Sequence, residues 1–340
     1  MPRQGFRSAN SAAVGRSLVV PPTGGHHGGL IEGDFTMATI IAEAAPKPLW
    51  KRITDFPLVA LVIAIAAFVG TSALASVIGK LLPPMDPLLA TATRATVTLL
   101  LALTTYKLII RHLGEEPRDD LPWAGAGKGL GIGAGFGFLI FSLVVGIAAL
   151  LDVYNIVGPG GTEQVVPSLI AIAIMPGFME ELLFRGILFR FLEKFGGSWF
   201  ALALTSALFG LAHIFNDNAT ALSSFAIAIE AGVLLGGAYM LTRSLWMPIG
   251  LHAAWNFTQG AIYDVPVSGF DQQGLVTAQL SGPEILSGGA FGLEASVIAM
   301  VIATAVGVWL VMRAVRGGQV VRPWWTRRRL TREALPNAAS

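Results

Sequence analysis

Cysteine is absent from the 340 residues of the sequence, and charged residues are scarce, at 13%. The lack of cysteine excludes disulfide bonds, thiolate nucleophiles and cysteine-containing metal sites, although it does not report on the redox state of the compartment. The scarcity of charge argues against a large soluble domain, since about a quarter of the residues in such domains are charged. The net charge is only +2, and the basic residues lie beside apolar segments, so no nucleic-acid partner is expected.

Long apolar segments account for the low charge. Hydrophobic residues make up 54% of the chain and the mean hydropathy is +0.65. Several uncharged runs approach the length of about twenty residues that crosses a bilayer core of roughly 30 Å. We therefore predict an all-α, polytopic transmembrane helix bundle of about eight spans. The predicted spans are residues 57–79, 86–110, 129–151, 166–190, 198–215, 219–242, 247–263 and 288–313.

The positions of the basic residues predict how these spans are oriented. Lysine and arginine recur at every second boundary, whereas residues 152–165, 216–218 and 264–287 contain neither. By the positive-inside rule, this pattern predicts a multi-pass integral membrane protein of a bacterial-type inner or plasma membrane, with both termini in the cytoplasm. Trp324 and Trp325 stand among the arginines of the C-terminal tail, which is typical of a segment that contacts membrane lipid at the interface.

The two ends of the chain differ from its apolar middle. Residues 1–50 are rich in glycine, proline, serine and arginine without any period, which predicts a disordered cytoplasmic tail. Within this tail, Met37 is a second candidate for the first residue. Residues 51–315 form the predicted transmembrane domain, and residues 316–340 form a predicted basic cytoplasmic tail.

A few polar side chains fall inside the predicted spans. A charged group there costs about 2.5–3.5 kcal/mol to insert, so such residues usually face the interior of the bundle and serve a function. They are Arg94, Glu180, Glu181, Arg185, His213, Glu230, His252, Asn256 and Glu294. Glu230 and Glu294 have no partner at helical spacing, and we interpret both as structural or interfacial.

Spacing separates the roles of the residues in the fourth span. Glu181 and Arg185 are four residues apart, so they can pair on one face of a helix. Glu180 lies about 100° around the helix and is free to face a different neighbour. Pro176, four residues before Glu180, lacks the N–H that continues a helical ladder, so we expect a loosened backbone there.

Two further spans each present one polar face. His213 shares a face with Phe209, and His252 shares a face with Asn256, because the members of each pair are four residues apart. Glu180, His213 and His252 could bind a catalytic zinc ion with one open coordination position. The same three residues could instead hold a water molecule directly, with the carboxylate as general base.

Three short motifs occur in order on successive predicted helices. The segments EELLFR, beginning at Glu180, FGLAH, ending at His213, and HAAWN, beginning at His252, fit the patterns EExxxR, FxxxH and HxxxN. In this order they resemble the motifs of the CPBP family, which contains CAAX prenyl endopeptidases, bacteriocin-processing enzymes and abortive-infection proteins. The resemblance covers residues 166–263 and implies an all-helical intramembrane endopeptidase with an eight-helix core.

The resemblance also implies a role for each motif residue. Glu180 would activate the attacking water, His213 would help to position it, and His252 with Asn256 would form an oxyanion site. Members of the family are described as metalloproteases, and zinc held by Glu180, His213 and His252 is slightly favoured as a cofactor because these residues form an open ligand set. A metal-free mechanism stays open, since asparagine suits an oxyanion better than zinc.

The resemblance assigns a supporting place to Glu181 and Arg185, to which we add Phe209. One geometric condition applies to the catalytic set. At about 1.5 Å per residue along straight helices, Glu180 falls near the middle of its span and His213 nearer the outer face. If these two residues cannot meet, the assignment of the site is wrong.

Endopeptidase activity on a membrane-associated, prenylated or small peptide is the favoured function, with a peptide or membrane protein as substrate. A catalytically idle immunity or scaffold protein is one alternative, although it would have no need of all four predicted catalytic residues. A proton-coupled transporter is another, because intramembrane glutamate and histidine can relay protons. No internal repeat of the kind common in transporters is visible. The sequence leaves the oligomeric state open.

Overall fold

Helices form most of the protein in the computed structural model, which describes residues 47–334. The helices are α1 (Leu49–Thr54), α2 (Pro57–Leu81), α3 (Pro87–Leu108), α4 (Ala126–Leu150), α5 (Val165–Gly196), α6 (Ser198–Ala212), α7 (Ala221–Thr242), α8 (Trp246–Phe257), α9 (Glu284–Ser287), α10 (Val297–Arg316) and α11 (Trp324–Ala334). Two strands, β1 (Tyr154–Pro159) and β2 (Val276–Leu280), complete the fold. Met37 and all but positions 47–50 of the predicted disordered tail lie outside the described residues, as do residues 335–340 of the basic tail.

Seven helices in the described part of the chain are long and apolar enough to cross a membrane, and each overlaps a predicted span. The predicted span at 247–263 is different. It consists of the 12 residues of α8 and five residues of π-helix, Thr258–Ile262. At about 1.5 Å per residue these reach only about 25 Å, less than the roughly 30 Å of a bilayer core. The seventh predicted span is therefore a short helix, buried along most of its length inside the bundle.

The predicted start of the last span, residue 288, is also wrong. The helix begins at Val297, where Ser296 caps it by accepting a hydrogen bond from the backbone N–H of Ala299. Gly288 and Gly292 before it have φ angles of +74° and +113°. These left-handed conformations are open mainly to glycine and cannot continue a right-handed helix.

A small two-stranded sheet accompanies the predicted helix bundle. Strand β1 follows α4 and pairs antiparallel with β2, with Tyr154 opposite Leu280 and Pro159 opposite Val276. Hydropathy did not reveal them, because both strands lie in connections between spans and pair across more than a hundred residues. Their pairing shows that the connections after α4 and after α8 lie at the same end of the bundle.

The two ends of the bundle differ in character. We call the end that carries β1 and β2 the strand side, where Asn216 also donates to the carbonyl oxygen of Ser268 at 3.1 Å. We call the opposite end the basic side. There the backbone N–H of Leu245 donates to the carbonyl oxygen of Asp120 at 2.7 Å, and the buried Asp120 carboxylate lies 2.7 Å from the Arg118 guanidinium.

Helix α8 packs directly against α4 because α4 carries glycine at the contact. A Cβ atom at Gly133 would overlap the carbonyl oxygen of Met247, and one at Gly137 would overlap that of Leu251. Small residues four apart let two helix backbones approach closely in membrane proteins. This contact fixes the position of α8, the helix that carries His252.

We expect Gly133→Ala to destabilise the protein by about 1–3 kcal/mol, because the added methyl group must push α8 away from α4. His252 should move with α8. Gly131→Ala is the matched control, because no atom lies within 4 Å of a Cβ at Gly131. Thermal unfolding in detergent should show a lowered melting temperature for the first variant alone. Equal melting temperatures would contradict the close approach of the two helices.

Candidate active site

Helix α5 is irregular on both sides of its two adjacent carboxylates. Residues Leu169–Ile174 and Leu182–Phe189 are π-helical, and the α-helical segment Met175–Glu181 lies between them. Pro176, in that segment, has no N–H to donate, which agrees with the loosened backbone expected there. π-helical turns widen the ladder and often occur at functional sites. The irregularity sets the direction in which Glu180 and Glu181 project.

Glu181 is the centre of a buried hydrogen-bonded chain. Its Oε1 accepts from Arg185 Nη1 at 2.8 Å, as the spacing predicts, and also from His252 Nδ1 at 2.9 Å. Glu181 and Arg185 are both fully buried, with no exposed area. The Glu181 carboxylate therefore joins α5 to α8 and orients the imidazole of His252.

Arg185 is held on its other sides by contacts from α6 and α7. Its Nη2 donates to the carbonyl oxygen of Ala231 at 3.3 Å, and its guanidinium carbon lies 4.7 Å from the centre of the Phe209 ring. The same Phe209 ring lies 4.7 Å from the His213 ring and 6.2 Å from the His252 ring, measured between centroids. Phe209 thus separates the Glu181–Arg185 pair from His213 and supports both histidines.

The two histidines have the same free nitrogen. His213 Nδ1 lies 2.7 Å from the carbonyl oxygen of Phe209, which can only accept, so Nδ1 carries the hydrogen. His252 Nδ1 faces the Glu181 carboxylate in the same way. In each neutral ring Nε2 is left with a lone pair. Both Nε2 atoms are therefore available to a water molecule or a substrate.

Asn256 is fixed by the irregular part of α5. Its Nδ2 donates to the carbonyl oxygen of Ile172 at 3.0 Å. Ile172 lies in the first π-helical segment of α5, whose widened ladder makes backbone carbonyls available to outside donors. One hydrogen of the amide group is used in this bond. The second hydrogen on Nδ2 is left for another acceptor.

The four predicted catalytic residues line one cavity with an empty volume of about 800 Å³. They come from three parts of the chain, namely α5, the turn that follows α6, and α8. Within the cavity, Glu180 Oε2 is buried and has no hydrogen-bond partner. His213 reaches the same cavity because α6 ends at Ala212, which leaves His213 in a short 3-10 turn. Glu180 and His213 therefore line the same cavity.

The structure adds residues that the motifs did not reveal. Asn216, Ser268, Phe270 and Gln272 line the same cavity from two loops on the strand side. They lie in the short turn after α6 and in the long connection between α8 and α10. No helical spacing marks such residues, and the only available signal was their polar loop composition. They form the outer wall of the site.

A second, smaller cavity lies behind the histidines. It shares His213, His252 and Asn256 with the first cavity and is also lined by Glu230 and Glu294. Neither carboxylate oxygen of the buried Glu230 has a partner. Burial raises the pKa of Glu294, which lies outside the spans, to about 7. Glu230 and Glu294, which have no partner at helical spacing in the sequence, thus lie close to the site.

The geometry does not form a metal site. Within residues 47–334, no group of three or more histidine, aspartate or glutamate side chains is arranged to hold a metal ion. The Nε2 lone pairs of His213 and His252 have the right chemistry for zinc. Glu180, the third member of the predicted set, does not join them in a ligand cluster. The zinc set inferred from the sequence therefore stays a prediction.

Comparison with known protein families finds one match. Residues 162–258 match the model of a family described as type II CAAX prenyl endopeptidase Rce1-like. The match covers less than a third of the chain, and it includes all three sequence motifs and the four residues that line the cavity. It agrees with the resemblance to the CPBP family. Neither the curated proteins nor the solved structures include a match to this chain.

Proposed function

We propose that the protein is an intramembrane endopeptidase that hydrolyses a peptide bond of a membrane-associated polypeptide with a water activated by Glu180. The observation that carries this proposal is the unpartnered Oε2 of Glu180 in a cavity shared with two histidines and an asparagine. A buried carboxylate oxygen without a donor is costly. A water molecule placed between Glu180 and His213 would supply that donor.

The first step is attack by this water. His213 Nε2 accepts one hydrogen bond from the water and orients it, and Glu180 removes a proton as the oxygen attacks the carbonyl carbon of the scissile bond. Proton transfer to a positioned base contributes about 10²–10⁴-fold to a rate. The products of the step are a protonated Glu180 and a tetrahedral intermediate with a negatively charged oxygen.

The second requirement is stabilisation of that oxyanion. Asn256 can donate the second hydrogen of its Nδ2, and His252 in its doubly protonated form can donate from Nε2 while Nδ1 stays bonded to Glu181. One such donor is worth about 10²–10³-fold in rate. When the intermediate collapses, the C–N bond breaks and Glu180 returns its proton to the leaving amine. The carboxylate is thereby restored, and no step requires a metal.

The location of the protein belongs to the same proposal. Seven helices are long enough to span a bilayer, and the shorter α8 also runs from the basic side to the strand side. This even number of passes, with basic residues gathered at one end, supports a multi-pass membrane protein with both termini in the cytoplasm. Membrane lipid surrounds the bundle, and α11 places the exposed Trp325 at the basic side. An interfacial tryptophan is typical of a segment anchored at the lipid headgroups.

The test is cleavage of a quenched peptide library by the purified protein in detergent, with and without a strong metal chelator. We expect cleavage that survives chelation and does not increase on addition of zinc, because the site residues form no ligand cluster. Loss of cleavage on chelation with recovery on zinc addition would show that a metal takes part. Complete absence of cleavage under all conditions would favour the scaffold or the transporter alternative.

A further inference from the structure

Basic residues are distributed unequally between the two ends of the bundle. On the strand side, the connections at 82–86, 151–164, 216–220 and 263–296 contain no lysine or arginine. The exceptions near that side are Lys80, in the last turn of α2, and Arg94, near the start of α3. Lysine and arginine are thus absent from all four connections between spans at that end.

The basic side has the opposite composition. The connections at 109–125, 243–245 and 317–323 each contain arginine, and lysine or arginine also occurs beside the other helix ends on this side. The basic residues at this side include Lys47, Lys51, Arg52, Lys107, Arg111, Arg118, Lys128, Arg190, Lys194, Arg243, Arg313, Arg316, Arg322, Arg327, Arg328 and Arg329. An excess of lysine and arginine in short connections marks the cytoplasmic side of a membrane protein. The strand side therefore faces away from the cytoplasm.

The site cavity opens towards the strand side. A groove at the surface shares Ala171, Ile172 and Gln272 with the cavity that contains Glu180. The groove continues outwards along Asp271 and Gln273, both of which are exposed. The cavity that contains Glu180 therefore adjoins a surface groove on the strand side, with three lining residues in common.

We infer that the active site works on the non-cytoplasmic side of the membrane, and that its substrates are polypeptide segments exposed there next to a membrane anchor. This inference rests on the proposed peptidase activity. It distinguishes the protein from an enzyme that removes the residues after a prenylated cysteine at a cytoplasmic C-terminus. Hydrolysis consumes one water and leaves a carboxylate and a protonated amine, both on the strand side.

The absence of cysteine makes the orientation directly measurable, because every introduced thiol is the only one in the chain. Gln273→Cys places a thiol at the exposed rim of the groove, and Glu116→Cys places one in an exposed loop of the basic side. In intact cells a membrane-impermeant maleimide should label the first variant. The second variant should be labelled only after the membrane is permeabilised.

The labelling pattern tests the orientation of the protein and does not require any peptidase activity. Labelling of Glu116→Cys in intact cells, with Gln273→Cys protected until permeabilisation, would overturn it. Equal labelling of both variants in intact cells would overturn it as well, since it would show a protein inserted in both orientations. The unmodified protein is the negative control and should take up no label, because it contains no cysteine.

A second measurement tests the substrate class. An acylated, membrane-impermeant quenched peptide is added to sealed vesicles of known orientation, with Glu180→Gln vesicles as background. We expect cleavage in right-side-out vesicles, and in inverted vesicles only after detergent is added. Cleavage confined to intact inverted vesicles would overturn the inference. If no peptide is cleaved even in detergent while Gln273→Cys is labelled in intact cells, the peptidase proposal fails but the orientation stands.

Discussion

Replacing Glu180 with glutamine should abolish peptide cleavage while leaving the protein folded and inserted. Glutamine keeps the shape of the side chain and can bond a water, but it cannot accept the proton that hydrolysis releases. Since a positioned base contributes about 10²–10⁴-fold, the residual rate should approach the background of the assay. The measurement is cleavage by purified Glu180→Gln in detergent, with the melting temperature of the same sample as the test of folding.

Glu163→Gln is the matched control for this prediction. Glu163 lies in the segment that matches the protease family, but its side chain is exposed in the loop before α5. The control should cleave like the unmodified protein. Cleavage that persists in Glu180→Gln would rule out this residue as the base. A large fall in melting temperature would instead show that Glu180 is needed for folding.

The second large effect is expected at the buried Glu181–Arg185 pair. Arg185→Met should lower the free energy of unfolding by about 3–5 kcal/mol, because it leaves the Glu181 carboxylate buried without its cation. Glu181→Gln should also lower folded yield, and it should reduce cleavage because His252 loses the carboxylate that orients its ring. Unfolding of the purified variants and their cleavage rates give the two readouts.

Two further variants sharpen this prediction. The double variant Glu181→Gln with Arg185→Met should regain part of the stability, because neither charge is left bare, while cleavage should stay low. Asp119→Asn is the comparison for a less buried pair, since Asp119 contacts Lys107 at 2.7 Å with 31% of its side chain exposed. It should cost less than Arg185→Met, because solvent reaches the pair. A fully stable but inactive Glu181→Gln would instead place Glu181 in contact with the reacting atoms.

The fold class and the pairs of residues within a single helix could largely be predicted from the sequence alone. Low charge and long apolar runs predicted a helical membrane protein, because a bilayer core of roughly 30 Å sets the length of an apolar span. Four-residue spacing predicted the Glu181–Arg185 pair, and it placed His213 on the same face as Phe209. These relations hold within a single helix, whose period is a property of the backbone itself.

Relations between helices were decided only by the tertiary structure. The bond from His252 to Glu181 joins α8 to α5 and depends on how closely α8 packs against the glycines of α4. The bond from Asn256 to the Ile172 carbonyl depends on a π-helical turn that the sequence only hinted at through Pro176. Helical periodicity determines which residues share a face, but it contains no information about which face of another helix lies opposite.

The opening of the site was likewise decided by the structure. The sequence showed which connections lack lysine and arginine, but not that Ser268 and Gln272 of one such connection fold over Glu180. Strand pairing between β1 and β2 and the shortness of α8 bring this loop to the cavity. The difference in basic residues between the two ends of the bundle depends only on the composition of each connection, so it can be read from the sequence. The contact of a loop with a site depends on distances between residues far apart in sequence, which only the packed bundle sets.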